Sequence, residues 1–127
     1  EAADLKDVQQ YIAQKKVEAW RSVQILSGAR DDERITYTEI ALRVRGLTQN
    51  IELNDAVRER MKPLFDLATA TASLPIGDEW LSLTDKQKLK YKAQRIKAEA
   101  RVVDTLEPVL AWLATLGYEQ ATQPVTH

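Results

Sequence analysis

Residues 68–84 read ATATASLPIGDEWLSLT, and the way this stretch folds decides the architecture of the whole chain. Thr69 and Thr71 are β-branched, Pro75 to Asp78 has turn composition, and Trp80, Ser82 and Thr84 alternate with Leu81 and Leu83. The pattern predicts a small β-hairpin over Thr69 to Thr84, turning at Gly77-Asp78. The rival is an all-α bundle in which Ala68 to Leu74 continues the preceding helix and only Pro75 to Glu79 is loop. Everything on either side reads as helix.

Upstream, Leu53, Val57, Met61, Leu64 and Ala68 share one helical face, so a helix is expected from about Asn54. Proline in a helix interior costs about 3 kcal/mol, so this helix should kink at Pro63 or restart with Pro63 in its first turn. Earlier still, TEIALRV is a short helix with Thr36 and Glu39 at capping-box spacing, closed by Gly46. The charged run Arg30 to Arg34 reads as a solvated loop and Ile35-Thr36-Tyr37 as a short β-prone segment. The first helix is expected from Asp4 to Ser27, with Leu5, Val8, Ile12, Ala19, Val23 and Leu26 on one buried face. Asp4 can cap its start and Gly28 stands where a left-handed residue would end it. Ala13, Val17 and Trp20 form a second stripe, which suggests packing on two sides.

Downstream, Thr84 and Gln87 make a second capping-box pattern at the head of a long, bent C-terminal helix, expected over about 84–117. Leu89, Ala93, Ile96, Ala100 and Val103 mark a narrow seam, and Leu106, Leu110, Leu113 and Leu116 extend the face. Pro108 predicts a bend or a break, with Asp104 or Thr105 as a fresh cap, before Gly117 ends the helix. The polar tail, 118–127, is expected to fray. A narrow seam flanked by charge is what one helix packed on one other looks like, which points to a homodimer.

The same helix carries the strongest local charge. Between Thr84 and Arg101 stand Lys86, Lys88, Lys90, Lys92, Arg95, Lys97 and Arg101 against Asp85 and Glu99, in a chain whose formal net charge is −1. Such a surface suits phosphates or an acidic protein face. At 127 residues and 44% hydrophobic, the chain fits one domain with a core that needs no staple. There is no cysteine, which removes thiolate catalysis, thiolate zinc sites and disulfides together. His127 is the only histidine and is terminal, so no histidine base or metal site is expected. Asp31, Asp32 and Glu33 are adjacent loop acids without EF-hand spacing, and Gly28, Gly46, Gly77 and Gly117 make no phosphate loop. The expectation is no enzyme and no cofactor. With no apolar run near the roughly 20 residues a bilayer span requires, no membrane partner is expected, and the compartment expected is the cytoplasm.

A first helix ending at Ser27, a short helix around TEIALRV and a longer one from Asn54 follow the chain order of a winged helix-turn-helix, with the hairpin as the wing. ITYTEIALRV resembles the entry into the winged-helix domains of many bacterial regulators and of the alkylguanine-DNA alkyltransferase family. That family's PCHR active-site motif is absent, so no alkyl acceptor is implied. The resemblance spans about 19–84 and implies binding of duplex DNA in transcription regulation. Arg43, Arg45, Arg58 and Lys62, with Lys86, Lys90, Lys97 and Arg101 of the last helix, are the expected phosphate contacts. Asp55, Glu59 and Asp66 on the outward face of the candidate recognition helix oppose that reading. The alternative is a non-enzymatic helical adaptor whose basic helix docks an acidic partner.

Overall fold

The computed structural model describes residues 2–124, with side chains from Asp4 onward. Eight α-helices follow in order: α1 (Ala2–Gly28), α2 (Tyr37–Thr48), α3 (Asp55–Arg60), α4 (Lys62–Thr71), α5 (Gly77–Leu81), α6 (Asp85–Ala100), α7 (Val103–Leu113) and α8 (Tyr118–Thr122). A short 3-10 turn, Ala29–Asp31, follows α1. His127, excluded above as a ligand, lies outside the described residues.

The hairpin is not there: among the described residues there is no strand, and the all-α class of the rival fits, although α4 ends at Thr71 rather than Leu74 and α5 begins inside the expected loop Pro75 to Glu79. The threonines that favoured strand are accommodated inside α4. The hydroxyls of Thr69 and Thr71 donate to the carbonyls of Phe65 and Leu67 at 3.0 and 2.7 Å, which satisfies them within the helix, and Thr71 is fully buried. The turn residues do turn the chain, with Gly77 at φ +61°, but they open α5 rather than join two strands. Without a wing, the winged-helix core over 19–84 falls too. Ile35-Thr36-Tyr37 is likewise the approach to α2, where Thr36 accepts from the Glu39 N–H at 3.1 Å.

The core lies where the second half of α1, α2, α4 and α7 meet. Trp20 and Val23, then Ile40, Ala41 and Val44, then Met61, Leu64 and Leu67, and Leu106, Leu110 and Leu113 are buried there together. Leu53, Val57, Met61, Leu64 and Ala68 all face inward as the spacing predicts. Pro63 sits in the first turn of α4, so the chain breaks and restarts at Lys62. At the second proline the expectation is wrong in detail. The break falls at residues 101–102, α7 starts at Val103 with no side-chain cap from Asp104 or Thr105, and Pro108 is carried inside it. Gly46 closes nothing, because α2 runs on to Thr48. Gly28 has φ −72°, so α1 passes into its 3-10 turn without a left-handed residue.

Two further corrections shape the surface. From Asp4 to Lys15 every residue of α1 is exposed, so Leu5, Val8 and Ile12 are not buried by the body, and only Ala19, Val23 and Leu26 of the expected face reach it. The expected second stripe shrinks to Trp20, whose indole N–H donates to the Leu116 carbonyl at 2.8 Å beside Gln24 at 2.6 Å. Of the tail expected to fray, 125–127 lie outside the described residues, and α8 is docked: Asn54 donates from its backbone to Ala121 and from its side chain to Gln120 and Gln123, at 2.8 to 2.9 Å, while capping α3, and Ala121 is buried. No described helix is long and apolar enough to cross a membrane.

Burial separates two leucines of similar sequence context. Leu110→Ala in the closed core should destabilise by about 2–5 kcal/mol, whereas Leu89→Ala on α6 should stay within about 0.5 kcal/mol, both read from urea unfolding curves.

Candidate interaction surface

α6 begins on the capping box that the sequence predicts: Thr84 accepts from the Gln87 N–H at 3.2 Å and Gln87 accepts from the Thr84 N–H at 3.0 Å. Its rotation is set near the other end. Glu99 reaches the first turn of α2, where its carboxylate accepts from the backbone N–H and the hydroxyl of Thr38, each at 2.9 Å. Arg95, one turn back, holds the same carboxylate at 3.0 Å. A carboxylate at a helix N-terminus takes up N–H groups that have no partner within the helix and meets the positive end of its dipole.

Turning Glu99 inward turns the seam outward. Lys88, Tyr91, Arg95, Ala98 and Val102 become the half-buried side of α6 against α4 and α2, and the helix buries no residue fully. Leu89 and Ile96 are 69% and 49% exposed, Ala93 and Ala100 are exposed, and Val103 is half-buried at the start of α7. On the helical wheel, Lys86, Lys90, Lys97 and Arg101 form a row directly beside this strip, and Lys92 lies on its other edge. The outward face is thus an apolar strip with a positive border. Where α5 meets α6, Trp80 and Leu89 line a shallow depression of about 330 Å³ bordered by Lys88 and Lys92, with Asp85 the one acid at its edge. Burying what remains exposed of Leu89 and Ile96 on a partner would contribute roughly 1–2 kcal/mol each, a driving force the fold leaves unused.

The other expected phosphate contacts do not join this row. Arg43 is exposed and pairs loosely with Glu39 at 3.8 Å, and Arg45 is half-buried on the same helix. Lys62 is taken up by Asp66 at 3.1 Å, and Arg58 stands on the six-residue α3 with Asp55 and Glu59 exposed beside it. Arg60, which the spacing did not single out, lies 4.2 Å from the ring centre of Trp112, a cation–π contact.

The chain belongs to the DUF2489 family. The family model, described as a protein of unknown function, matches residues 2–113, from the start of α1 to the end of α7. No curated protein and no solved structure matches. The match gives the winged-helix resemblance no support. It includes α6 with its outward strip and the contact that orients it, while α8 lies beyond it.

A second polar cluster sits at the foot of α2 in this DUF2489 domain. The Tyr37 hydroxyl donates to Glu107 of α7, whose other oxygen accepts from Arg30 Nε at 3.1 Å, and Arg30 also donates to the Ser27 carbonyl at 3.2 Å. Neither this cluster nor the one at Glu99 was singled out from sequence. The Arg95-Glu99 spacing at i,i+4 was there to be read, but nothing local joins Glu99 to Thr38 or Glu107 to Tyr37. The Tyr37 phenol is pushed up to about 12, first by its hydrogen bond to Glu107, then by burial and by the charges of Glu107, Asp31 and Glu99. A phenol held protonated in this way is a hydrogen-bond donor that ties α2 to α7. In the exposed loop nearby, Asp32 is held below its usual range by the side-chain and backbone N–H groups of Arg34.

Because the folded-state value for Tyr37 lies above the ordinary phenol value of 10.0, its contribution to stability is complete below pH 10.0 and is lost as pH rises through about 12. Denaturant midpoints taken at neutral and alkaline pH should fall less steeply for Tyr37→Phe than for the unaltered protein. Glu99→Ala, which strips the α2 N-terminus and Arg95 of a shared partner, should lower stability by roughly 1.5–3 kcal/mol at neutral pH.

Proposed function

We propose that this domain is a non-enzymatic helical adaptor that docks an acidic amphipathic helix on the outward face of α6. The observation that carries the reading is a 16-residue helix that buries no residue of its own and presents an apolar strip with lysines on both borders. An apolar strip of this width fits the ridge of a single helix, and the basic borders select one whose flanks carry glutamate or aspartate. The same borders argue against two α6 helices pairing with each other, since Lys86, Lys90, Lys97 and Arg101 would meet their own copies. The dimer expected from this seam is therefore a weaker use of it than an acidic partner.

Duplex DNA is the competing occupant of the basic row. Against it stand the loss of the wing, the carboxylates beside Arg58, and an apolar strip at the centre of the face, where phosphates would gain nothing.

The test is an NMR titration with a synthetic helical peptide bearing leucines at i, i+4 and i+7 and glutamates on both flanks. Shifts should concentrate on Leu89 to Ala100 and on the Trp80 indole, and affinity should fall as salt is raised. Leu89→Asp, or Lys90→Glu with Lys97→Glu, should each weaken binding about tenfold or more, with helicity unchanged. Shifts spread over the whole molecule, or none at millimolar peptide, would remove the proposal. Tighter salt-dependent binding to duplex DNA of arbitrary sequence through the same lysines would put the DNA reading in its place.

A further inference from the structure

The 27 residues of α1 make a rod about 40 Å long, of which only the second half packs on the body. Lys16 is the first half-buried side chain. Before it, Leu5, Val8 and Ile12 continue, at helical spacing, the line that Ala19 and Val23 carry into the core, and they are 63%, 54% and 48% exposed. A face that is core downstream therefore runs on for about three turns with no cover among the described residues.

We propose that these turns pair antiparallel with the same turns of a second copy of the chain. Charge decides among the possible occupants. From Asp4 to Glu18 the helix carries three acids, Asp4, Asp7 and Glu18, and three bases, Lys6, Lys15 and Lys16, so it selects neither an acidic nor a basic partner. The order of signs selects itself. Asp4 and Lys15 lie on one edge of the apolar face, three turns apart. A two-fold axis perpendicular to the helix sets that edge against the same edge of the second copy, running the other way, so Asp4 meets the partner's Lys15 and Lys15 the partner's Asp4. Parallel pairing would set that edge against the partner's opposite edge, where Gln9 and Lys16 stand, and would give Lys15 no acid.

In this register Leu5 packs against the partner's Ile12, and Val8 and Gln9 lie at the axis. The partner's Leu5 arrives at Ile12 beside a groove of about 460 Å³, where α1 leaves the body over Leu47 and Ile51. Lys15 now reaches Glu18 at 3.3 Å and lies 5.3 Å from the Tyr11 ring centre, exposed contacts weak enough to be exchanged. About three turns of each helix make an interface below the roughly 1,200 Å² at which standard interfaces begin, so the dimer is weak and forms at micromolar concentrations or above.

Sedimentation equilibrium of the whole chain, from low micromolar to millimolar, should show reversible dimerisation. Ile12→Asp should weaken it about tenfold or more without loss of helicity, since the site is exposed in the monomer. Lys15→Glu should also weaken it, and Asp4→Lys added to Lys15→Glu should restore it. In the cysteine-free chain, Gln9→Cys should give a disulfide-linked dimer under mild oxidation. Leu5→Cys should not, because the two copies of that position stand about 10 Å apart along the axis. A monomer at every concentration, a dimer indifferent to Ile12→Asp, or cross-linking through Leu5→Cys as readily as through Gln9→Cys would overturn the proposal. Each of these results leaves the α6 reading untouched.

Discussion

The carboxylate of Glu99 on the first turn of α2 is the contact on which the surface of this protein depends. A helix of α6's composition has two faces that could be turned inward: the strip Leu89, Ala93, Ile96 and Ala100, or the side holding Tyr91, Ala98 and Val102. Hydrophobicity alone favours the first, with a leucine and an isoleucine to bury. The charge-assisted bonds from Thr38 to Glu99, with Arg95 closing the carboxylate from the other side, fix the second. A side chain 12% exposed that accepts from a helix N-terminus loses more on being torn away than a partly exposed leucine gains. Helix rotation is then no longer free, and the apolar strip is committed to solvent or to a partner.

The remainder of the fold is arranged so that this choice does not threaten stability. The closed core is assembled without α6, from α1, α2, α4 and α7, and its polar atoms are all answered: among the described residues no buried side-chain nitrogen or oxygen lacks a hydrogen bond. Ends of the chain that are distant in sequence are tied by backbone acceptors. Trp20 and Gln24 meet at the Leu116 carbonyl, and Asn54 holds α8 while capping α3. A body closed in this way can leave one helix face and half of α1 bare.

Much of the helical framework was legible because it rests on local chemistry. The caps at Thr36 and Thr84, the helix start near Asn54, the restart at Pro63, and the inward line from Leu53 to Ala68 depend on residues within one or two turns of each other. What misled was also local: threonines and a Pro-Gly turn favour strand only when no helix can take up the hydroxyls, and α4 does so through carbonyls four residues back. Periodicity found the apolar faces of α1 and α6 but not whether anything covers them. That depends on contacts between Thr38 and Glu99, or Tyr37 and Glu107, sixty and more residues apart, for which one sequence carries no signal. The basic residues were similarly legible as a set and illegible as a surface. Only those of α6 share a row; Lys62 and Arg60 are drawn to Asp66 and Trp112.

The distribution of charge is the reason the partners proposed for the two bare faces differ. Seven bases against two acids stand between Thr84 and Arg101, while the whole chain is at −1, so the rest of the molecule is clearly acidic. An acidic helix such as the one proposed would on average be repelled by the rest of the molecule and drawn toward α6, where the bases stand beside the apolar strip. The first turns of α1, with equal numbers of acids and bases, neither attract nor repel such a helix. On one edge Asp4 and Lys15 stand so that the proposed antiparallel copy would answer each with its opposite. Charge supplies the selection at both faces and apolar burial the affinity, so association at one face need not compete with association at the other.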